Sequence, residues 1–136
     1  MGSKIFPAHL SSLDEIMEYF RGVFSGVPFS DKEKKRFELA LEEAVVNIIH
    51  YAYQTSDGKI EVSCKYDSAA CTLVAKLKDS GRPFNPLELD KIKTPKSLEI
   101  QPVGGLGIHF MKELVDNIEY NYVEGVNTLT LYKKIN

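Results

Sequence analysis

The sequence predicts an α/β domain, a sheet with several helices packed against it. Three observations carry that reading. The chain has 136 residues, enough for one such domain. Its apolar pattern switches repeatedly between the helical period and a period of two. Two pairs of alternating segments are each joined by a short polar turn, as in hairpins. Hydrophobic residues make up 43% and charged residues 26%, which is ordinary usage for a chain that builds a core. A single domain is expected over residues 1–136.

Taken in order, "KIFPA" is a short strand. Ser12 and Glu15 make a capping-box pattern ahead of Ile16, Tyr19, Phe20 and Val23, the buried stripe of a first helix. Ser30 and Glu33 repeat the signal. Phe37, Leu41, Ala44, Val45 and Ile48 then mark a long second helix that stops at "QTSDGK". "KIEVSCKY" alternates with Ile60, Val62, Cys64 and Tyr66 on one face, and "CTLVAKLKD" with Cys71, Leu73, Ala75 and Leu77, so an antiparallel pair is expected. From Pro83 to Val103 the chain carries four of its six prolines and little periodicity, a long loop of the functional or poorly ordered kind. "GGLGIHFMKELVDN" begins on glycine and turns helical, with Ile108, Met111, Leu114 and Val115 buried. "IEYNYV" and "TLTLYKKI", joined by "EGVN", form a closing hairpin.

Several function classes are disfavoured. The net charge is -2 with basic residues dispersed, which argues against a nucleic-acid or membrane partner. No apolar run approaches the roughly 20 residues that cross a bilayer. "MGSKIFPAHL" lacks the apolar core of a signal peptide, so a cytoplasmic protein is expected. Cys64 and Cys71 flank the turn "YDSAAC" and are read as two small buried thiols, close across the strands, rather than as a redox pair. Three scattered histidines and no CxxC leave zinc without support.

The chemistry is concentrated in three places. At about 100° per residue, Glu43, Asn47, His50 and Gln54 share a stripe roughly 60° wide beside the apolar face of the second helix. Asp79 ends the inward row of Leu73, Ala75 and Leu77, and a carboxylate buried there needs a donor. Gly81 follows, permitting close backbone approach before "RPFNP" turns the chain away. Gly104, Gly105 and Gly107 precede a helix, where free backbone NH groups and the helix dipole suit phosphate. Neither a Walker A nor a Rossmann pattern is present.

In this order and spacing, "EEAVVNIIHYAY", "DSGRPFNP" and "GGLGIHFMKELVD" resemble the N, G1 and G2 boxes of the GHKL ATP-binding fold of gyrases and histidine kinases. The "DxGxPFNP" form is most similar to bacterial anti-sigma regulatory factors, which are serine/threonine kinases. The resemblance implies a two-layer α/β (α+β) sandwich of the Bergerat type, with a mixed, mainly antiparallel sheet covered on one face by helices. It also implies ATP and Mg²⁺ as cofactors. Glu43 matches the general base and Asn47 the Mg²⁺ ligand. Asp79 matches the acceptor for the adenine amino group, with Gly81 beside the base. Gly105 and Gly107, with Gly104, match the phosphate glycines, and Thr128 resembles a threonine near adenine. "LDKIKTPKSLEIQPV" corresponds to an ATP lid, whose Lys93 and Lys96 could approach phosphate.

The implied partners are a STAS-domain anti-anti-sigma protein, phosphorylated on serine, and a sigma factor, with a homodimer as the assembly. The departures are Tyr51, where many relatives place histidine, Pro83 for a second G1 glycine, and Asn127, where relatives often carry glycine. His50 therefore receives no role. A non-catalytic ATP-dependent sequestering module is the main rival. The ATP-binding part of a two-component histidine kinase is the other, and no helical hairpin with a phospho-accepting histidine is read in the chain.

Overall fold

The computed structural model describes residues 2–53, 57–87 and 111–135. Within them, β1 (Lys4–Pro7) leads through a 3-10 turn at Leu10–Ser12 into α1 (Leu13–Phe24) and α2 (Asp31–Tyr51). The strands β2 (Lys59–Asp67), β3 (Thr72–Asp79), β4 (Asn117–Val123) and β5 (Val126–Lys134) follow. The sheet order is β1-β2-β3-β5-β4, and every pairing is antiparallel.

Alternation decides which face is covered. Ile60, Val62 and Cys64 of β2, Leu73, Ala75 and Leu77 of β3, and Leu129 and Leu131 of β5 are buried on the face that receives the helices. Against them α1 places Ile16, Met17, Phe20 and Phe24, and α2 places Phe37, Leu41, Ala44, Val45 and Ile48. Phe24 sits at the junction, with ring centroids 6.4 Å from Phe20, 5.5 Å from Phe29 and 5.7 Å from Phe37. Residues 111–114 are helical and Met111 is fully buried in the same core.

The two helix starts differ. Ser30 has extended backbone (φ -70°, ψ 160°) and its hydroxyl accepts from the Glu33 NH at 3.1 Å, the geometry an N-cap needs. Glu33 also holds Lys133 of β5 in an ion pair, and that partner keeps its carboxyl below the usual range. Ser12 makes no cap bond. The 3-10 turn ahead of α1 sets it at φ -88°, ψ -7°, a conformation that turns the hydroxyl away from the first-turn NH groups.

The hairpins correct two expectations. Cys71 is exposed with φ 49° and belongs to the turn, where Asp67 Oδ1 accepts from the NH groups of Ala69 and Ala70. Cys64 is buried opposite Ala75, so the cysteines do not face each other. The last turn is shorter than "EGVN". Glu124 and Gly125 alone have positive φ, 52° and 80°, as a two-residue primed turn requires. Val126 and Asn127 therefore already lie in β5.

Removing the α2 cap with Ser30→Ala should cost about 1 kcal/mol, read as a lower urea midpoint with an unchanged slope.

Candidate functional site

The site is built where the C-terminal half of α2 meets the end of β3. Asp79 is the last residue of β3 and points inward, 6% exposed, in register with Ile60 on one side and Asn127 on the other. Its Oδ1 accepts from the Gly81 NH at 2.9 Å and from Asn127 Nδ2 at 2.9 Å. Burial still raises the Asp79 carboxyl above its ordinary range, and those two hydrogen bonds only partly offset it.

Asn47 faces the same crevice from α2 and is 1% exposed. Its Nδ2 donates to the Glu43 carbonyl at 2.7 Å, so the turn between these residues is closed through the main chain. Among the described residues its Oδ1 is buried with no hydrogen-bond partner, an arrangement rare in native interiors. Glu43, one turn earlier, is half-buried, and burial together with neighbouring Glu42 pushes its carboxyl up. His50 is exposed.

The crevice that joins Asn47 to Asp79 is also walled by Ile48, Ala52, Phe84, Pro86, Tyr120, Asn127 and Leu129, and its volume is about 10 Å³. That is room for one water. Phe84, stacked on Tyr51 at 5.2 Å, and Pro86 are the groups whose displacement would widen it. A cleft of about 400 Å³ lies on the other side of Asp79, lined by Ile5, Tyr53, Lys59, Ser80 and Val126 among others, but neither Glu43 nor Asn47 reaches it.

Gly81 is required by the helix. A Cβ at this position would lie 2.1 Å from the Ala52 carbonyl oxygen. The close approach lets the Arg82 NH donate to Ala52 O at 2.9 Å and Arg82 Nε to Tyr51 O at 2.8 Å, which satisfies carbonyls left open at the end of α2. The Tyr53 hydroxyl accepts from the Ser80 NH at 2.8 Å and donates to Lys59 O, fixing the start of the same loop.

The structure thus brings Asn47 and Asp79 to one crevice, with Gly81 against the end of α2, while Glu43 lies one helical turn before Asn47 and does not line that crevice. Gly104, Gly105, Gly107, Lys93 and Lys96 lie outside the described residues. Thr128 is not brought in. It is in register with Lys78, one position off the Asp79 row, and the period of two sends it to the opposite face of the sheet. Asn127 holds the inward position, with Tyr120 beside it. The early end of the last turn is the signal that would have identified it.

Among the described residues no three His, Cys, Asp or Glu side chains cluster as a metal site, and no helix is long and apolar enough to cross a membrane. The family profile of the histidine kinase-like ATPase domain matches residues 6–133. The chain belongs to this family. Two curated relatives are each named serine-protein kinase RsbW. The one from Bacillus mycoides is 29% identical over 113 residues, covering 79% of this chain and 69% of its own. The one from Listeria innocua is 28% identical over 113 residues, covering 79% and 71%.

Solved structures agree on the fold of this histidine kinase-like ATPase domain. The RsbU and RsbW domains of a Mycobacterium tuberculosis protein superpose with a TM-score of 0.62 at 14% identity, over 99% of this chain and 33% of that one. The histidine kinase domain of a blue-light-activated kinase from Erythrobacter litoralis gives 0.59 at 14% identity, over 92% and 60%.

Two outcomes are expected from this geometry. Gly81→Ala should destabilise the fold by about 2 kcal/mol or more, because backbone must move to admit the methyl group, and thermal unfolding will read it. The raised carboxyl of Asp79 has a pH signature. Above the ordinary carboxylate pKa the folded state still holds a proton that the unfolded state has lost, so stability falls as pH rises through the raised value. Asp79→Asn removes that loss, and its denaturation midpoint should shift in its favour relative to the parent as pH rises above the ordinary carboxylate pKa of about 4.

Proposed function

We propose that this chain is an ATP-dependent serine kinase of the anti-sigma type. It would phosphorylate a STAS-domain anti-anti-sigma protein and switch between that protein and a sigma factor, acting as a cytoplasmic homodimer. The observation that carries the proposal is one turn of α2. It holds a half-buried carboxylate with a raised pKa, Glu43, next to a buried carbonyl oxygen, Asn47 Oδ1, that has no partner among the described residues. The curated relatives named serine-protein kinase RsbW, each spanned over about two thirds or more of its length, support the choice of acceptor.

Each residue has a chemical task in this reading. Asp79 accepts from the exocyclic amino group of adenine and so orients the nucleotide. Asn47 Oδ1 fits a hard divalent cation, being a buried neutral oxygen. With no carboxylate cluster beside it among the described residues, the other ligands would come from phosphate and water. Bound Mg²⁺ would supply neutralisation of the phosphate charge.

Glu43 receives the proton of the substrate serine as the serine oxygen bonds to the γ-phosphorus. The bond from that phosphorus to the β,γ-bridging oxygen breaks, and ADP carries away the electron pair. A carboxylate raised toward the working pH by burial is a better base than an exposed one.

A radiolabel-transfer assay with a STAS-domain protein tests the proposal. Glu43→Gln is expected to lower phosphoserine formation by about 100-fold or more while ATP affinity stays within a few-fold of the parent. ATP binding without any phosphoserine, unchanged in Glu43→Gln, would instead identify a non-catalytic sequestering module. Failure to bind ATP at all would remove the whole reading.

A further inference from the structure

Asn127 is 4% exposed and every hydrogen-bonding direction of its carboxamide is used. Nδ2 donates to Asp79 Oδ1 and to Arg82 O, each at 2.9 Å. Oδ1 accepts from the Phe84 NH at 3.2 Å and from the Tyr120 hydroxyl. One side chain therefore ties the end of β3, the turn after it, β4 and β5 together. A group satisfied on all sides and buried has no capacity left for a ligand, and pulling it out would strand several polar atoms at once.

The consequence falls on Asp79. Both of its hydrogen bonds, from Gly81 and Asn127, land on Oδ1. Among the described residues Oδ2 accepts none, on a side chain that lines the crevice shared with Asn47.

Building on the nucleotide reading above, we infer that Asn127 is the positioning residue for base selection: it occupies Asp79 Oδ1 and so dedicates Oδ2 as an acceptor-only reader of the purine. Adenine offers an amino donor at the ring position where guanine offers a carbonyl oxygen. Once ionised, that oxygen accepts from the first and repels the second. A site built to pair with a donor rejects the analogue that lacks it far more strongly than a site reading shape alone. Asn127 acts through Asp79 and need not touch the nucleotide.

The geometry argues against a simpler alternative role, an internal blocker that ATP must displace. A blocker is held by the group it masks, whereas three of the contacts of Asn127 are made with Arg82, Phe84 and Tyr120 and would survive the removal of Asp79.

The test is calorimetric titration of the full chain with ATP and with GTP in the presence of Mg²⁺, using Asn127→Asp and Asn127→Ser. The aspartate keeps the size of Asn127 and an oxygen for Phe84 and Tyr120, but its carboxyl must share a proton with Asp79. The serine keeps a hydroxyl donor at shorter reach. Circular dichroism establishes that each variant is folded, and the serine variant serves if the aspartate variant is not.

Asn127→Asp should lose about tenfold or more in ATP affinity, the size of one charge-assisted hydrogen bond. Its preference for ATP over GTP should fall by a similar factor, with Asn127→Ser between it and the parent. A merely structural role would lower both nucleotides alike and leave the ratio unchanged, which would overturn the inference. Tighter ATP binding in either variant would overturn it in favour of the blocker. A parent chain that binds ATP while both variants keep its affinity and selectivity overturns this inference alone; a parent that binds neither nucleotide overturns it together with the function proposed above.

Discussion

A carboxylate buried at the end of an apolar strand row is the constraint around which this molecule is arranged. Asp79 continues the inward series Leu73, Ala75, Leu77, and without donors it would be unfavourable there by several kcal/mol or would hold a proton. The donors come from two directions. The Gly81 NH turns back from the loop that follows, and Asn127 reaches across from β5. Each depends on something further away. The Gly81 NH is available only because the loop can lie against the Ala52 carbonyl, and Asn127 is inward only because the β4–β5 hairpin turns on two residues. A slip of one residue in that turn would place Thr128 inward and leave Asp79 with the Gly81 NH as its one donor among those described.

The long helix α2 serves the core and the site with different sectors of one surface. Leu41, Ala44, Val45 and Ile48 anchor it to the sheet, while Asn47 lines the crevice and Glu43 lies one turn before it beside that stripe. The anchoring gives the polar pair its character. Packing buries Asn47 to 1% exposure and raises the Glu43 carboxyl, whereas His50, on the same polar stripe near the end of the helix, remains in solvent. Arg82 closes the end of α2 through the carbonyls of Tyr51 and Ala52. The loop after β3 and the helix end therefore behave as one unit, and a ligand that moves Phe84 from Tyr51 would be felt at both.

Much of this was legible in the chain. The alternation of β2 and β3, the Ser30 cap and the inward place of Asp79 are local, periodic features, and they emerge as read. Cys71 and Ser12 did not follow their local pattern. In both cases a turn boundary differs from the expected one, ending one residue later at Cys71 and adding a 3-10 turn ahead of α1 at Ser12, and this changes the backbone region of the residue and with it the direction of the side chain. Thr128 failed for the same reason at the other end of the sheet, and the true neighbour of Asp79, Asn127, stood one residue away as a departure from a family pattern.

The sequence by itself determined the element types, the face each strand buries and the membership in a nucleotide-binding family, because periodicity and short motifs act over a few residues. Only the tertiary structure decided what each polar group faces. The hydrogen bonds that define the site join residues far apart in the chain, Asp79 to Asn127, Phe84 to Tyr120, Arg82 to Tyr51, and their geometry depends on strand register and helix docking. Burial is likewise a property of the packed whole, and it is burial that leaves Asn47 Oδ1 without a partner among the described residues and raises the carboxyls of Glu43 and Asp79.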